Sequence, residues 1–184
     1  TNNSVKGCGA IFLMDQSNAG NASAINVYGG TFTDNACLLS STSYGSGSIA
    51  RLKSPGALHF YGGTFANNTT AAGKNYEGIY LRDVSQKLGS NVYVHKLSAD
   101  LNVYLTPYSA KVFMSRIVVD SALTHTISVY IADNRVPAKG MPLVVDTDEY
   151  KLSEADLAMV KSANPKATFY LDTENNAICI AKAE

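Results

Sequence analysis

The chain has 184 residues, and its 46% hydrophobic content is enough to bury one sizeable core, so we expect one domain with a terminal cap. Its 15 basic and 15 acidic residues balance, which excludes a whole-chain field that would attract nucleic acid or an anionic membrane. No run reaches the roughly 20 apolar residues that span a bilayer, and no signal peptide is visible. Because the first residue is Thr1, we expect a longer chain in which any export signal lies upstream.

An internal repeat is the strongest feature of the first half. The sequence YGGTFTDN at 28–35 returns as YGGTFANN at 61–68, with six of eight positions identical and a spacing of 33 residues. Each copy follows an alternating apolar segment, 24–27 or 57–60, that predicts a half-buried strand. A period of this length is typical of solenoids, so we predict coils of a right-handed parallel β-helix. Two unrelated Gly-Gly hairpin turns are the alternative.

The residue types of the repeat suit a chain that turns corners. The paired glycines permit positive φ or tight packing. Phe32 and Phe65 are expected to stack in the core on successive coils. Asn35 and Asn68 are expected to take left-handed conformations at the next corner and to form an amide ladder.

A second, weaker set of repeats supports stacked coils. Residues 9–15, 48–53 and 78–83 share an Ile followed by an alternating pattern, with Ile11, Ile49 and Ile79 in equivalent positions. The spacings of 38 and 30 residues differ, so loops of unequal length must leave the coil. We expect these protrusions at 44–48 and 69–75.

These repeats resemble those of known surface proteins. Gly9-Ala10-Ile11 and Gly56-Ala57-Leu58, with the Phe-x-x-Asn elements at 32–35 and 65–68, are similar to the repeats of polymorphic-membrane-protein-type proteins. They also resemble the Gly-Gly-Thr-Phe-x-x-Asn β-helix repeats in large surface proteins of Gram-positive gut anaerobes. Cys8 and Pro55 depart from the pattern, since each replaces the first Gly of the Gly-Gly-Ala-Ile element. The resemblance covers roughly residues 7–83 and implies adhesion and surface display.

The second half carries strand patterns and then a cap. Alternating runs at 91–97, 101–105, 111–119, 126–131 and 141–145 predict strands, either of further β-helix faces, which we favour, or of a small sandwich. Ser153 is expected to cap a helix that Asn164-Pro165 ends, with Leu157 and Val160 on its apolar side. A hairpin of 167–171 and 177–181 would shield an exposed strand edge. The predicted fold is therefore all-β, with β-helix coils over 1–150 and a helix-plus-hairpin cap over 151–184.

Catalysis on this scaffold would need clustered carboxylates or a carboxylate Ca²⁺ site with a base nearby. One group of charged residues meets part of this need, at the ends of the second set of strands: Asp15, Arg51, Lys53, Arg82 and Asp83. A ladder of exposed opposite charges is the favoured interpretation of that group.

The remaining reactive side chains form no recognised motif. His59, His95 and His125 lie in no HxxxH frame, and His59 is expected to point outward from a strand. The three cysteines lack a CxxC pair, which argues against zinc, and we favour buried thiols over a Cys8–Cys37 disulfide. The acidic turn of Asp146, Asp148 and Glu149 lacks a calcium-loop glycine pattern. We therefore expect no metal and no cofactor.

Tyrosines give the most credible ligand site. Residues 28, 61, 80, 93 and 104 would form an exposed stripe that suits neutral polysaccharides if their alternation places them outward, and Tyr28, Tyr61 and Tyr80 are the candidate binding residues. Packing against cross-strand neighbours is the alternative.

The sequence favours a non-catalytic, extracellular β-helical scaffold or adhesin on a cell surface. Its expected partner is a protein or glycan of a host or neighbouring cell, with no nucleic acid, no membrane insertion and a monomeric state within a longer chain. The alternative is a polysaccharide lyase, a glycoside hydrolase or a carbohydrate-binding module.

Overall fold

The computed structural model describes residues 4–5, 12–14, 23–37, 50–52, 56–70, 78–83, 89–132, 135–137, 140–147 and 149–183. Within these residues the protein is all-β, with one short helix near the C-terminus. No helix in this part of the chain is long and apolar enough to cross a membrane. The predicted protrusion at 44–48 lies outside the described residues, as does most of the one at 69–75.

One large sheet is parallel throughout. In the described part of the chain it has six strands, which lie side by side in this order: β16 (Val160–Ser162), β14 (Ile127–Ile131), β12 (Leu101–Thr106), β10 (Ile79–Arg82), β6 (Ala50–Leu52) and β2 (Phe12–Met14). Alternation of apolar and polar residues places one face inward: Leu101 and Leu105 are buried, whereas Asn102 is exposed.

The second large sheet is parallel except at its C-terminal end. Its described strands number seven, in this order: β17 (Ala167–Asp172), β18 (Ala177–Lys182), β15 (Met141–Asp146), β13 (Arg116–Val119), β11 (Asn91–Val94), β7 (Gly56–Phe60) and β3 (Ser23–Val27). Strands β3 to β15 pair in parallel, whereas β18 pairs antiparallel with β15 and with β17. The parallel pairing differs from that of an antiparallel sandwich, which was the alternative for the second half.

The two sheets share one hydrophobic core. Leu81 and Leu105 of the six-stranded sheet and Leu58 and Ile117 of the seven-stranded sheet are fully buried members of the same cluster. Burial of such side chains is worth about 1.5–3 kcal/mol each, so this shared core is the main stabilising term.

The YGGTF repeat stacks on itself. Strands β4 (Thr31–Thr33) and β8 (Thr64–Ala66) pair in parallel, and the rings of Phe32 and Phe65 stack at 5.2 Å between centroids. Asn35 donates from Nδ2 to Oδ1 of Asn68 at 2.8 Å, with both residues buried. The predicted aromatic stack and amide ladder are confirmed. The chain continues into a third small sheet, in the order β1 (Ser4–Val5), β5 (Ala36–Cys37) and β9 (Thr69–Thr70).

The corner of the repeat differs from the prediction by one residue. The left-handed residues are Asp34, with φ 57°, and Asn67, with φ 53°, rather than the buried Asn35 and Asn68. The prediction is wrong because Asn35 and Asn68 must point inward to form the amide ladder. The residue before each of them therefore takes the left-handed conformation. At Gly63 the predicted positive φ is confirmed, at 133°.

The second set of strands aligns as predicted at one step and not at the other. Phe12 lies opposite Ala50, which matches the predicted spacing of 38 residues. Ile79 also lies opposite Ala50 rather than Ile49, so the second alignment was wrong by one residue. Ile79 and Leu81 are buried beside Val103 and Leu105 of β12, and because side chains alternate between faces, a slip of one residue would exchange the faces.

The five predicted strands of the second half are present with shifted bounds. Strand β13 begins at Arg116 rather than at 111, and the others begin within one residue of the prediction. Residues 109–112 form an isolated antiparallel bridge instead, in the loop that precedes β13.

The C-terminal helix is shorter than predicted. Helix α1 (Glu154–Met159) begins after Ser153, which is the N-cap as expected and forms a capping box with Asp156. It ends at Met159, because Val160 continues as strand β16 opposite Ile127 and extends the six-stranded sheet. The predicted hairpin is confirmed as β17 and β18, and β18 covers the edge of β15.

A buried carboxylate joins this helix to the sheets. Asp156 accepts hydrogen bonds from the Ser153 hydroxyl at 2.6 Å, the Tyr150 hydroxyl at 2.7 Å and the Leu123 amide at 2.9 Å. Burial raises the pKa of Asp156, but the bonds from Ser153, Leu123 and Tyr150 outweigh burial, and the net effect lowers it. The helix therefore depends on an ionised carboxylate.

Candidate functional site

Aromatic and imidazole side chains collect on the outer face of the seven-stranded sheet, where its strands end. The last residues of β3, β7, β11 and β13 point inward and are buried. The residue that follows each of them therefore points outward, and parallel pairing brings these residues together in one column: Tyr28, Tyr61, His95 and Asp120. The residues two positions earlier form a second column beside it, which begins with Asn26, His59 and Tyr93.

The rings of this surface stack on one another in nearly parallel planes. Tyr28 stacks on Tyr61 at 5.0 Å between centroids, and Tyr61 stacks on His95 at 4.2 Å. In the second column His59 stacks on Tyr93 at 4.3 Å. We call the five rings of Tyr28, His59, Tyr61, Tyr93 and His95 the aromatic cluster. Because Tyr61 lies between Tyr28 and His95 it presents mainly its edge, whereas Tyr28, at the end of its column, is stacked on one face.

The exposed fractions of Tyr28 and Tyr61 agree with their positions in the stack. Tyr28 is 76% exposed even though one of its faces lies on Tyr61, which is 38% exposed. A stacked ring can be that exposed only if its other face meets solvent. The cluster thus offers an open aromatic face beside an exposed amide, Asn26.

A chain of hydrogen bonds links three neighbouring strands through this cluster. His95 Nδ1 lies 2.5 Å from Oδ2 of Asp120, and His95 Nε2 lies 3.1 Å from Nδ1 of His59. The carboxylate can only accept, so Nδ1 of His95 carries a hydrogen. In a neutral His95, Nε2 then accepts the hydrogen from Nδ1 of His59, and Nε2 of His59 keeps a lone pair. We call these three residues the His59–His95–Asp120 chain.

His95 influences the titration of its neighbour His59. Partial burial lowers the pKa of His59, and the neighbouring His95 lowers it further. His59 therefore resists a second positive charge at the position where the two rings meet.

A cleft of about 340 Å³ opens beside His95. It is lined by residues 94–97, which follow β11, and by residues 121–124, which follow β13. Lys96 is exposed at this cleft, whereas the hydroxyls of Ser121 and Thr124 donate to the backbone carbonyls of His95 and Leu97. The cleft is of a size that admits part of a small ligand next to the cluster.

The tyrosines of the predicted stripe divide into two groups, which lie on different sheets. Tyr28, Tyr61 and Tyr93 lie in the aromatic cluster, whereas Tyr80 and Tyr104 stack on the six-stranded sheet at 5.3 Å. Tyr80 is only 2% exposed, so it is not the outward binding residue that was predicted. The stack continues across the sheet, since Tyr104 in turn stacks on Tyr130 at 5.1 Å.

The predicted charged group lies largely outside the described residues. Asp15 and Lys53 lie outside the described residues, and of Arg51 only the backbone is described, opposite Tyr80. Arg82 lies opposite Thr106. Asp83 is 3% exposed, so the expectation of an exposed charge ladder is wrong there.

Asp83 instead holds a loop. Its carboxylate accepts hydrogen bonds from the amides of Tyr108, Met114 and Ser115 and from the Ser115 hydroxyl, all between 2.7 and 3.0 Å. Four donors satisfy the charge of a buried carboxylate and fix residues 108–115 against the end of β10. Its role is structural.

Other predicted groups have simple places. Cys179 is a buried free thiol, as expected, and burial raises its pKa; Cys8 lies outside the described residues, and the side chain of Cys37 does too. His125 contacts the Thr124 hydroxyl, and Asp148 of the acidic turn is not described. Among described residues, no group of three or more His, Cys, Asp or Glu side chains could hold a metal ion.

Sequence reasoning missed the connection between His59, His95 and Asp120. Motif searches look for histidines a few residues apart, whereas these lie 36 and 25 residues apart on neighbouring strands. The available signal was the repeat itself: continuing the column of Tyr28 and Tyr61 for one more strand reaches His95.

No match to the chain was found among protein-family models, curated proteins or solved structures.

Proposed function

We propose that the protein is a non-catalytic adhesin domain, a right-handed parallel β-helix displayed on the outside of a cell, and that it binds glycans through the aromatic cluster. The fold part of this proposal is supported by the parallel register of both large sheets and by the ladders between repeats. Crossover connections between parallel strands are right-handed in almost all proteins. The cap of α1, β17 and β18 ends the helix. A crystal structure with left-handed crossovers would overturn the proposed handedness.

The observation that carries the glycan role is Tyr28, which is 76% exposed while stacked on Tyr61. The face of an aromatic ring is electronegative and attracts the C–H groups on the flat side of a sugar ring. Tyrosine provides a rigid contact area at a low entropic cost. Exposed Asn26 beside it supplies amide groups that hydrogen-bond sugar hydroxyls.

Surface display agrees with the same features. An elongated β-helix holds its outer face away from its attachment point, and low charge density leaves that face free of strong nonspecific attraction. We accordingly place the protein in the extracellular space, as a monomer whose partner is a glycan on a neighbouring or host cell.

Affinity electrophoresis tests this function. The protein is run in native gels that contain hydroxyethylcellulose, xylan or galactomannan, after a glycan array has ranked other glycans. We expect retardation by at least one of them, and Tyr28→Ala to weaken it about tenfold, the equivalent of one lost stacking contact. Tyr108→Ala is the matched control, because Tyr108 is 43% exposed but lies outside the cluster. Equal retardation of both variants, or none of the wild type on any glycan, would contradict the proposal.

The His59–His95–Asp120 chain favours a second candidate, a polysaccharide lyase. Nε2 of His59 is placed as a base whose partner imidazole is oriented by a carboxylate, and Lys96 lies near enough to the cleft to pair with a uronate carboxylate. Such an enzyme would release unsaturated products from polygalacturonate or alginate, detected by their ultraviolet absorbance. His59→Gln should abolish that release. If no product forms from either polymer, this candidate fails.

A further inference from the structure

His59, His95 and Asp120 are joined by two hydrogen bonds, and these bonds limit how many protons the three side chains can take up together. His95 lies between a carboxylate at 2.5 Å and a second imidazole at 3.1 Å. With no added proton, each link of the chain has one donor and one acceptor. Tyr61 and Tyr93 stack on the two imidazoles and hold their planes parallel.

One added proton leaves both links intact. It enters at Nε2 of His59, or the hydrogen between the rings shifts so that His95 becomes the imidazolium next to Asp120. In either case the nitrogens that face each other still comprise one N–H and one lone pair. The net charge of the three residues rises from −1 to 0, and the carboxylate favours this state.

A second added proton breaks the link between the rings. Both facing nitrogens would then carry hydrogens at a separation of 3.1 Å, and two like charges would lie side by side. The rings must move apart, and His95 then leaves the face of Tyr61, on which it stacks at 4.2 Å. The column that supports Tyr28 then loses the His95 ring.

Among the described residues, the aromatic, basic and acidic neighbours of the chain come from the strands on either side. Tyr61, which follows β7, stacks on His95, and Tyr93 of β11 stacks on His59. Lys96 follows His95 on the same cleft and carries a fixed positive charge, which opposes further protonation. Asp120 is the sole carboxylate among the described residues that contacts either imidazole.

We propose that the His59–His95–Asp120 chain is an acid-sensitive latch for the glycan-binding face, closed with zero or one added proton and open with two. This rests on the glycan role proposed above and adds its regulation. Glycan is held at neutral pH and released in acid. Partial burial and the neighbouring His95 lower the pKa of His59, which agrees with this order of events.

Nuclear magnetic resonance tests the latch without any glycan. The ring C–H signals of the three histidines are followed from pH 8 to pH 4, with His125 as the internal reference. We expect His59 to be half-protonated at a lower pH than a histidine in a short flexible peptide, and the signals of the two stacked rings to report the same two protonation steps of the chain. Near-ultraviolet circular dichroism should change with the second step, because the chain has no Trp and the signal comes from tyrosines. Independent single-step titrations of His59 and His95 would overturn the latch.

Binding is then compared at pH 7.5 and pH 4.5, by retardation in the polysaccharide gels. Below the opening midpoint, affinity should fall about tenfold for each pH unit, since one proton is linked to release. In His59→Gln the amide still donates to His95 but cannot become a second cation, so the ratio of the two affinities should shrink towards one. Asp120→Asn should move the opening to lower pH, and His125→Gln should keep the wild-type ratio.

The outcomes separate the two proposals. Wild-type protein that binds no glycan at pH 7.5 overturns the glycan role and its regulation, whereas the proton chain is judged by the resonance and dichroism data alone. Binding at pH 7.5 with the same pH ratio in wild type and His59→Gln overturns the latch and leaves the glycan role standing.

Discussion

Two stacked columns of aromatic rings occupy the two large sheets, and they differ in what surrounds them. Tyr80, Tyr104 and Tyr130 stack at 5.1–5.3 Å on the six-stranded sheet, beginning from a ring that is only 2% exposed. On the seven-stranded sheet the column begins with Tyr28, which is 76% exposed, and continues through Tyr61 to the His95 imidazole, which hydrogen-bonds to Asp120. The ring spacing is similar because it comes from the spacing of the strands.

Because the two columns stack alike but differ in exposure, stacking alone does not indicate function. Where water is excluded, a ring contributes its buried area and its absence leaves a cavity. Where water reaches the column, the ring adds little to stability and its open face and titratable neighbours remain available to a ligand. Substitutions in the two columns should therefore separate stability from binding.

The largest effect is expected from Tyr80→Ala. Removing a ring that is almost fully buried should lower the free energy of unfolding by about 3–5 kcal/mol, as for other large-to-small changes in a core. Urea denaturation measures it. A loss below 1 kcal/mol would show that the column on the six-stranded sheet is as dispensable as the exposed one.

Asn68→Ala should follow, because it breaks the ladder that joins the two repeats. The Asn68 side chain accepts from the amide nitrogen and from Nδ2 of Asn35 and donates to the Phe32 carbonyl. We expect a loss of about 2–4 kcal/mol, since buried hydrogen-bonding groups lose their partner. The exposed neighbour Asn67→Ala is the control for the amide group, although its positive φ adds a smaller cost of its own.

The effect of Asp156→Asn on stability should depend on pH. Hydrogen bonds lower the pKa of Asp156, so its contribution to stability is present above the unfolded-state pKa near 3.8 and is lost as the pH falls through the lower folded value. The variant should cost about 1–3 kcal/mol at pH 7 and lose less additional stability below pH 4 than the wild type. Thermal unfolding between pH 2.5 and pH 7 measures this.

The smallest effect on stability is expected from Tyr28→Ala, at about 0.5 kcal/mol or less, because the ring is exposed. The same variant should show the largest loss of glycan retardation. A Tyr28→Ala protein that is strongly destabilised would show that the exposed column is structural too.

Much of the fold could be predicted because one repeat unit appears twice. Six identical positions at a fixed spacing predicted which Phe and which Asn would be neighbours, and both pairs are in contact. The register of Ile79 could not be predicted, since the loops between the strands vary in length and a short apolar run fits its neighbour in two ways. Helix α1 ended early because Val160 gains more as a buried β-branched residue in a sheet than in a further turn of helix.

The candidate site was harder to predict. Tyr28 and Tyr61 were named because the repeat places them outside, but Tyr80 is covered by packing that alternation does not reveal. His59, His95 and Asp120 meet only through pairing across three strands, and the spacing from β11 to β13 is shorter than the repeat. A column of outward residues can be extended from sequence only when the length of each turn is known.

Chemical-shift mapping with a glycan identified in the gels is the most direct measurement of the central claim, that the aromatic cluster is the binding face. When the glycan is added at pH 7.5, we expect the changes in backbone amide chemical shift to concentrate at residues 26–28, 59–61 and 93–96. Shifts concentrated at Tyr80, Tyr104 and Tyr130, or spread evenly over both sheets, would contradict it.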